Sequence, residues 1–219
     1  MTADRALLAA QESDDPCAVA GASWYLNHNF RAAGESHEAR LKLVTETAQL
    51  LRPEENTEDR ALWGLLQLAA ALSYAKIGQE GSAWNHWDAA HRAARSLPDG
   101  YVHPYLIFGI GMVDAYAITL HTDLMHGREA IRAADRSNPA TMPSVTRRSF
   151  HSIETARAYH LQREPVATVH LLHKAYDESP DTARFNGFAR SAVTELLHRR
   201  GNNVRAEVDE LARKFDIAG

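Results

Sequence analysis

Twelve histidines are spread over the 219 residues of the chain, and two pairings have the spacing of metal ligands on a helix. His151 and Glu154 are three apart, as are His170 and His173, so each pair would share one helix face. A metal centre needs third and fourth ligands, and none stands at a recognisable spacing from either pair. These residues therefore read as surface or helix-capping histidines, with no metal and no cofactor expected. The single cysteine, Cys17, follows Asp15-Pro16 at a helix start, a place that can lower a thiol pKa. A lone cysteine is also an ordinary small packing residue. The chain contains no Gly-x-Ser-x-Gly elbow, no phosphate-cradling Gly-rich loop and no dinucleotide fingerprint. No catalytic residues are assigned, and the expectation is a protein that is not an enzyme.

Binding chemistry is better represented. Asp114 stands in IFGIGMVDAYAITL, among apolar neighbours on all sides. A carboxylate buried there needs a partner or a raised pKa. It would make a structural hydrogen bond or ion pair, or act as a polar anchor in an apolar ligand cavity. Helical spacing gathers further candidates into stripes. Trp24, Asn27, His28 and Arg31 follow i, i+3, i+4, i+7. Gln67 and Leu68 lead to Ser73 and Lys76. Met112, Tyr116 and Thr119 form a third stripe, and Phe150, His151, Glu154 and Arg157 a fourth. Such mixtures of aromatic, amide and charged groups suit peptide recognition, while each residue alone also suits packing between helices.

Helices must position these stripes, and the sequence reads as helix throughout. Ala, Leu, Arg and Glu are frequent and β-branched residues sparse, which favours helix. Asp15-Pro16 opens a helix through GASWYLNHNFRAA to Gly34, paired with SHEARLKLVTETAQLL and ended at Arg52-Pro53. A pair from about Arg60 to Leu97 follows. PYLIFGIGMVDAYAITLHT is a long helix, apolar nearly all round and expected at the centre, with GREAIRAADRS as its partner. RRSFHSIETARAYHLQ and VATVHLLHKAYDES turn at Glu164-Pro165. FNGFARSAVTELLHRR and NVRAEVDELARKF form a last pair across Gly201.

The second pair carries a signature: Ala71, Tyr74, Gly78, Ala83, Trp87 and Ala90. Small residues allow two helices to approach, aromatics one turn away fill the gaps, and Gly78 suits a left-handed helix end. This is the spacing of the tetratricopeptide repeat. A second copy lies at Ala156, Tyr159, Leu172 and Ala175, closed by Pro180. About five pairs recur at roughly the 34-residue interval of that class. The fold expected is all-α, a right-handed tetratricopeptide-like superhelix (solenoid) spanning residues 1–219 as one domain. The first helix of each pair would line a concave binding face.

From FGIGMVDAYAITL onward the chain resembles the C-terminal region of actinobacterial Cro/C1-type (XRE family) helix-turn-helix transcriptional regulators. RRSFHSIETARAYHLQREPVATVHLLHKAYDESP resembles their penultimate repeat, and ELLHRRGNNVRAEVDELARKFDIAG their C-terminal end. The opening QESDDPCAVAGASWYL is similar to openings found there. The resemblance implies a ligand- or peptide-sensing and oligomerisation domain, with a peptide, small-molecule effector or partner protein as its partner and a homodimer as an allowed assembly. DNA would be reached only through a helix-turn-helix module that does not precede Ala3 here. Relatives place a polar Thr-Asn pair after the Phe-Gly of the third long helix. Here Phe108-Gly109 runs into Ile110, Gly111 and Met112, so no effector role carries over for that pair. The alternative is a stand-alone repeat adaptor that docks a partner protein.

The bulk properties fit these expectations. A net charge of −4 argues against a basic nucleic-acid surface along the whole chain. One cysteine permits no internal disulfide, and MTADRALLAAQESDD lacks the basic and apolar regions of a signal peptide. A cytoplasmic setting without membrane association is expected. Met1 leads directly into a helical fragment, so the chain is also readable as part of a longer protein.

Overall fold

The computed structural model of the protein describes residues 2–33, 37–137, 139, 142, 144–199 and 203–217, with the side chains of 31–33 left aside. The regular structure among these residues is helical, and no strand occurs. Twelve helices follow in order. They are α1 (Thr2–Glu12), α2 (Pro16–Ala33), α3 (His37–Ala48), α4 (Thr57–Lys76), α5 (Glu80–Arg95) and α6 (Ile110–Asp123), then α7 (Gly127–Arg136), α8 (Val145–Leu161), α9 (Pro165–Glu178), α10 (Pro180–Arg184), α11 (Gly187–His198) and α12 (Arg205–Lys214). Within each compact unit, helices adjacent in sequence pack together. The chain divides into two compact units, Met1–Leu124 and Met125–Gly219. No helix of the described residues is long and apolar enough to cross a membrane.

In the first unit α4 is the central helix, packed by α2, α3, α5 and α6. Its sequence suits the role. Leu62, Leu65, Leu66, Leu68 and Leu72 supply bulk, and Ala61, Ala69, Ala71 and Ala75 let the neighbours approach; all are buried. Asn56 caps its start, the Oδ1 accepting from Asp59 N at 2.8 Å. Glu58 and Asp59 at the first turn and Lys76 at the last complement the helix dipole. At the far end Gly78 adopts φ +74°, Gly78 N donates to Ala75 O and Gln79 N to Tyr74 O, both at 3.0 Å. The sequence signature is therefore expressed locally: Ala71, Ala83 and Ala90 are buried where α4 and α5 meet.

Two expectations about the third long helix are corrected. It is not the centre of the unit, and it begins at Ile110 rather than near Pro104. Residues 101–109 instead form a compact irregular segment organised by the buried His103. Its Nδ1 accepts from Tyr105 N (3.3 Å) and Leu106 N (3.2 Å), while His103 N donates to Phe108 O at 2.9 Å. Accepting two backbone bonds leaves the ring hydrogen on Nε2, 3.9 Å from Glu58 Oε1. Burial lowers the His103 pKa, against the opposing pull of Glu58. The segment delivers Phe108, fully buried, onto Gly64 of α4, where a Cβ would lie 2.5 Å from the phenyl Cζ. Gly64 is thus a notch that only a missing side chain provides.

The second unit is built on α8 and α9. Ile153, Ala156, Val169, Leu172 and Ala175 are buried there, joined by Val193 and Leu196 of α11, Val208 and Leu211 of α12, and Phe215. Ser144 caps α8 and Pro165 occupies its favoured place at the start of α9. Ser149 Oγ donates to Ala175 O at 2.9 Å, tying the two helices. The helix expected to partner α6 is α7, which packs on α8 within this unit. The turn Pro180 begins is the short helix α10.

Candidate functional site

Trp24 and His28 of α2 meet Tyr116 of α6. His28 Nε2 lies 3.1 Å from the Tyr116 hydroxyl. The Trp24 and His28 rings are 4.3 Å apart, and Trp24 meets Tyr116 edge-on at 6.0 Å. Trp24 is 2% exposed and Asn27 0%, so this part of the α2 stripe lies in the interior. Asn27 Nδ2 makes only long contacts, 3.4 Å to Ser73 Oγ and 3.5 Å to Arg40 O. Met112 and Thr119 of the α6 stripe are buried as well, as are Leu68 and Ser73 of α4. Arg31 belongs to α2, but its side chain lies outside the described residues.

Asp114 departs from the expectation of burial. Its side chain is 51% exposed, and its Oδ1 lies 3.5 Å from His91 Nε2 of α5. Asp114 lies near the start of α6 and meets His91 of α5, while Met112, Val113 and Ala117 of the same helix are buried. His91 stacks on Trp87 (4.8 Å, 24°), and Trp87 Nε1 donates to Val113 O at 3.0 Å. Trp84 lies 4.6 Å from the His121 ring. The two tryptophans of α5 thus anchor α6.

In the second unit His151 and the Glu154–Arg157 pair share α8. Arg157 Nη1 is 3.4 Å from Glu154 Oε2, an ion pair within one turn. Ser137 Oγ is 3.4 Å from His151 Nε2. Burial, with the Lys174 charge adding, pushes the His151 pKa down to about 4, so the ring is neutral at neutral pH. Phe150 beside it is exposed. Of the second histidine pair, His173 Nε2 lies 3.1 Å from Glu207 O. No three His, Cys, Asp or Glu side chains converge at ligand spacing among the described residues. Cys17 also differs from the helix-start expectation. Its thiol is pushed up to about 12 by burial, by its hydrogen bond to Asp59 (3.5 Å) and by the charges of Glu58, Asp59 and Asp15. A thiol held protonated in this way is a poor nucleophile.

Gln67 is the candidate that opens onto space. It lines a cleft of about 270 Å³ between α3, α4 and α5. Trp63, Leu66, Gln67 and Ala70 supply the α4 wall at i, i+3, i+4 and i+7. Val44 and Thr45 face them from α3, with Gln49 just beyond, and His86 comes from α5. His86 Nδ1 and Gln67 Oε1 are 2.7 Å apart, and the imidazole stacks on Tyr74 at 5.2 Å and 17°. Burial lowers the His86 pKa, which keeps the ring neutral. His86, Trp63, Thr45 and Gln49 lie outside the stripes read from the sequence. The α4 stripe from Trp63 was available as a periodic signal, but nothing in the sequence brings His86 to Gln67.

A second cleft, of about 250 Å³ in the second unit, is bordered by His160, Arg163, Glu164, Glu195 and Arg199. There His160 Nε2 and Glu195 Oε2 lie 3.2 Å apart. Charges of both signs already meet around this opening, whereas the first cleft presents uncharged polar groups on apolar walls. Compared with known proteins, the chain matches no family model, no curated protein and no solved structure.

Proposed function

We propose that this chain is a tetratricopeptide-like binding domain, right-handed and superhelical, which senses a small ligand or peptide for a bacterial transcription regulator of the Cro/C1 type. The carrying observation is the cleft between α3, α4 and α5, with its Gln67–His86 pair set among apolar side chains. Uncharged polar groups on apolar walls are the usual composition of a small-ligand site, and the volume sits just below the ~300–1,000 Å³ of drug-sized sites. A ligand bridging α3 to α4 and α5 would favour one packing of the three helices over another, which is what sensing requires. Thermal-shift screening of the intact protein with metabolites and short peptides tests this. A hit should raise the melting temperature, and Trp63→Ala should abolish that rise. A screen without hits, or hits indifferent to Trp63, overturns the cleft as the sensing site. The regulator assignment is tested separately, by the coding sequence upstream of Met1 and by operator binding of the intact protein. Failure of both removes it.

A stand-alone adaptor is the second reading, favoured by one observation. Val102, Tyr105 and Ile110 are exposed apolar residues clustered in sequence around the His103 segment, Tyr105 at 84%. An adaptor would lose partner binding in Tyr105→Ser with its cleft intact, whereas a ligand sensor would not.

A further inference from the structure

We infer that the cleft between α3, α4 and α5 takes an uncharged aromatic ring system, the ring on a floor of Val44, Leu66 and Ala70 beside Trp63 and its polar substituent at the mouth by Thr45 and Gln49. This rests on the proposal that the cleft is a ligand site.

The lining sorts by depth. Val44 and Leu66 are 1% exposed and Ala70 3%, so the floor is apolar. Thr45 and Gln49, one turn apart on α3, are exposed and form the rim. Trp63 is partly buried and shares the α4 face of Leu66 and Gln67. The polar groups set between floor and rim are engaged within the wall itself. Gln67 Oε1 and His86 Nδ1 lie 2.7 Å apart, and the imidazole stacks on Tyr74. An entering molecule therefore meets mainly carbon inside and a hydroxyl and an amide at the mouth.

Charge excludes the rival groups. Among the described residues, no Asp, Glu, Lys or Arg borders the cleft. The α3 charges nearest in sequence, Lys42 and Glu46, are exposed and pair with each other at 3.9 Å. Burial lowers the His86 pKa, so the imidazole brings no charge at neutral pH. A carboxylate or ammonium would shed part of its water there with no counter-charge to meet it. Size sets the next limit. An apolar void of ~150 Å³ holds benzene, so about 270 Å³ admits one ring or two fused rings. The Trp63 indole favours an aromatic over a saturated body, because ring pairs gain attraction beyond the area they bury. Such a ring can belong to a free small molecule or to a tryptophan side chain of a peptide.

Naphthalen-2-ol, 2-naphthoate and 2-naphthylmethylamine test the inference, being close in size and differing in charge. Each is titrated into the full chain at neutral pH while the Trp63 indole N–H resonance, assigned by its loss in Trp63→Phe, is followed. Naphthalen-2-ol should shift it saturably, with both charged probes at least about fivefold weaker. Saturated decahydro-2-naphthol should bind about two- to tenfold more weakly than naphthalen-2-ol. Thr45→Phe, a change at an exposed position, should close the mouth and weaken naphthalen-2-ol with the melting temperature kept. Thr45→Lys should strengthen 2-naphthoate alone, by about two- to fivefold, if the substituent stands at the mouth. Indole against N-acetyltryptophan amide separates the free molecule from the peptide side chain by which binds more tightly. Charged probes that bind as well as naphthalen-2-ol and are still blocked by Thr45→Phe would leave a ligand site but overturn its preference for uncharged molecules. Equal binding of decahydro-2-naphthol would overturn the aromatic assignment. Thr45→Lys without effect on 2-naphthoate would overturn the placement of the substituent. If no probe shifts Trp63, or the shifts survive Thr45→Phe, the cleft reading itself falls.

Discussion

Phe108 and Gly64 form a lock whose two halves should be strongly non-additive. The phenyl ring is fully buried, and a Cβ on residue 64 would meet Phe108 Cζ at 2.5 Å, Phe108 Cε1 at 2.9 Å and Ala93 Cβ at 2.9 Å. Phe108→Ala removes a fully buried aromatic and should cost about 3–5 kcal/mol. Gly64→Ala overpacks the notch at about 1–3 kcal/mol, offset by about 1 kcal/mol of better helix propensity, so roughly 0–2 kcal/mol net. Added independently, the two would destabilise by roughly 3–7 kcal/mol. With Phe108 gone, however, the new methyl loses its two ring contacts and keeps the 2.9 Å approach to Ala93 Cβ. Gly64→Ala should then cost less than it does beside the ring, with a coupling energy of about 1 kcal/mol or more. Urea unfolding followed by tryptophan fluorescence measures it in the right place. The four tryptophans, Trp24, Trp63, Trp84 and Trp87, all belong to the Met1–Leu124 unit. Additivity within about 0.5 kcal/mol would refute the lock and the contact between the 101–109 segment and α4 that it implies.

Acid should destabilise the second unit through His151. Its folded pKa of about 4 lies below the ordinary 6.5, so the unfolded chain takes up the proton first as pH falls. The stabilisation is complete above about pH 6.5 and lost as pH drops towards 4, at most about 3 kcal/mol and less with solvent relaxation. His151→Gln should flatten that slope in melting curves read by far-UV circular dichroism, and an unchanged slope would count against it. His86 and His103, both lowered by burial, add the same sign of dependence in the first unit. Asp114→Asn should change stability by no more than about 1 kcal/mol, because its carboxylate is half exposed; a loss of several kcal/mol in urea titrations would show a buried carboxylate instead. Gly78→Ala meets nothing within 4 Å yet holds φ +74°, so backbone strain alone should cost about 1 kcal/mol. A stabilised Gly78→Ala protein would contradict the left-handed helix end.

The amino-acid order alone settled most of the local structure. Apolar periodicity, Asp15-Pro16, Gly78 and Glu164-Pro165 mark helices and their ends, because each acts through backbone geometry over a few residues. The small residues of the repeat signature also lie buried where their spacing implies. Tertiary packing decided the rest. An all-round apolar sequence made α6 look central, but α4 holds that place, since periodicity reports a face and not the neighbour that covers it. Asp114 is exposed for the same reason, its helix lying at one flank of α4. His103, 101–109 and the Phe108–Gly64 contact replace two expected helical turns, because a buried imidazole satisfies the backbone that a helix would otherwise satisfy. The Gln67–His86 array joins residues 19 apart on two helices, and the His28–Tyr116 contact residues 88 apart. Neither distance has a signature in one dimension. Helical spacing orders side chains along a single element, whereas a site needs faces of different elements, and only their packing brings those together.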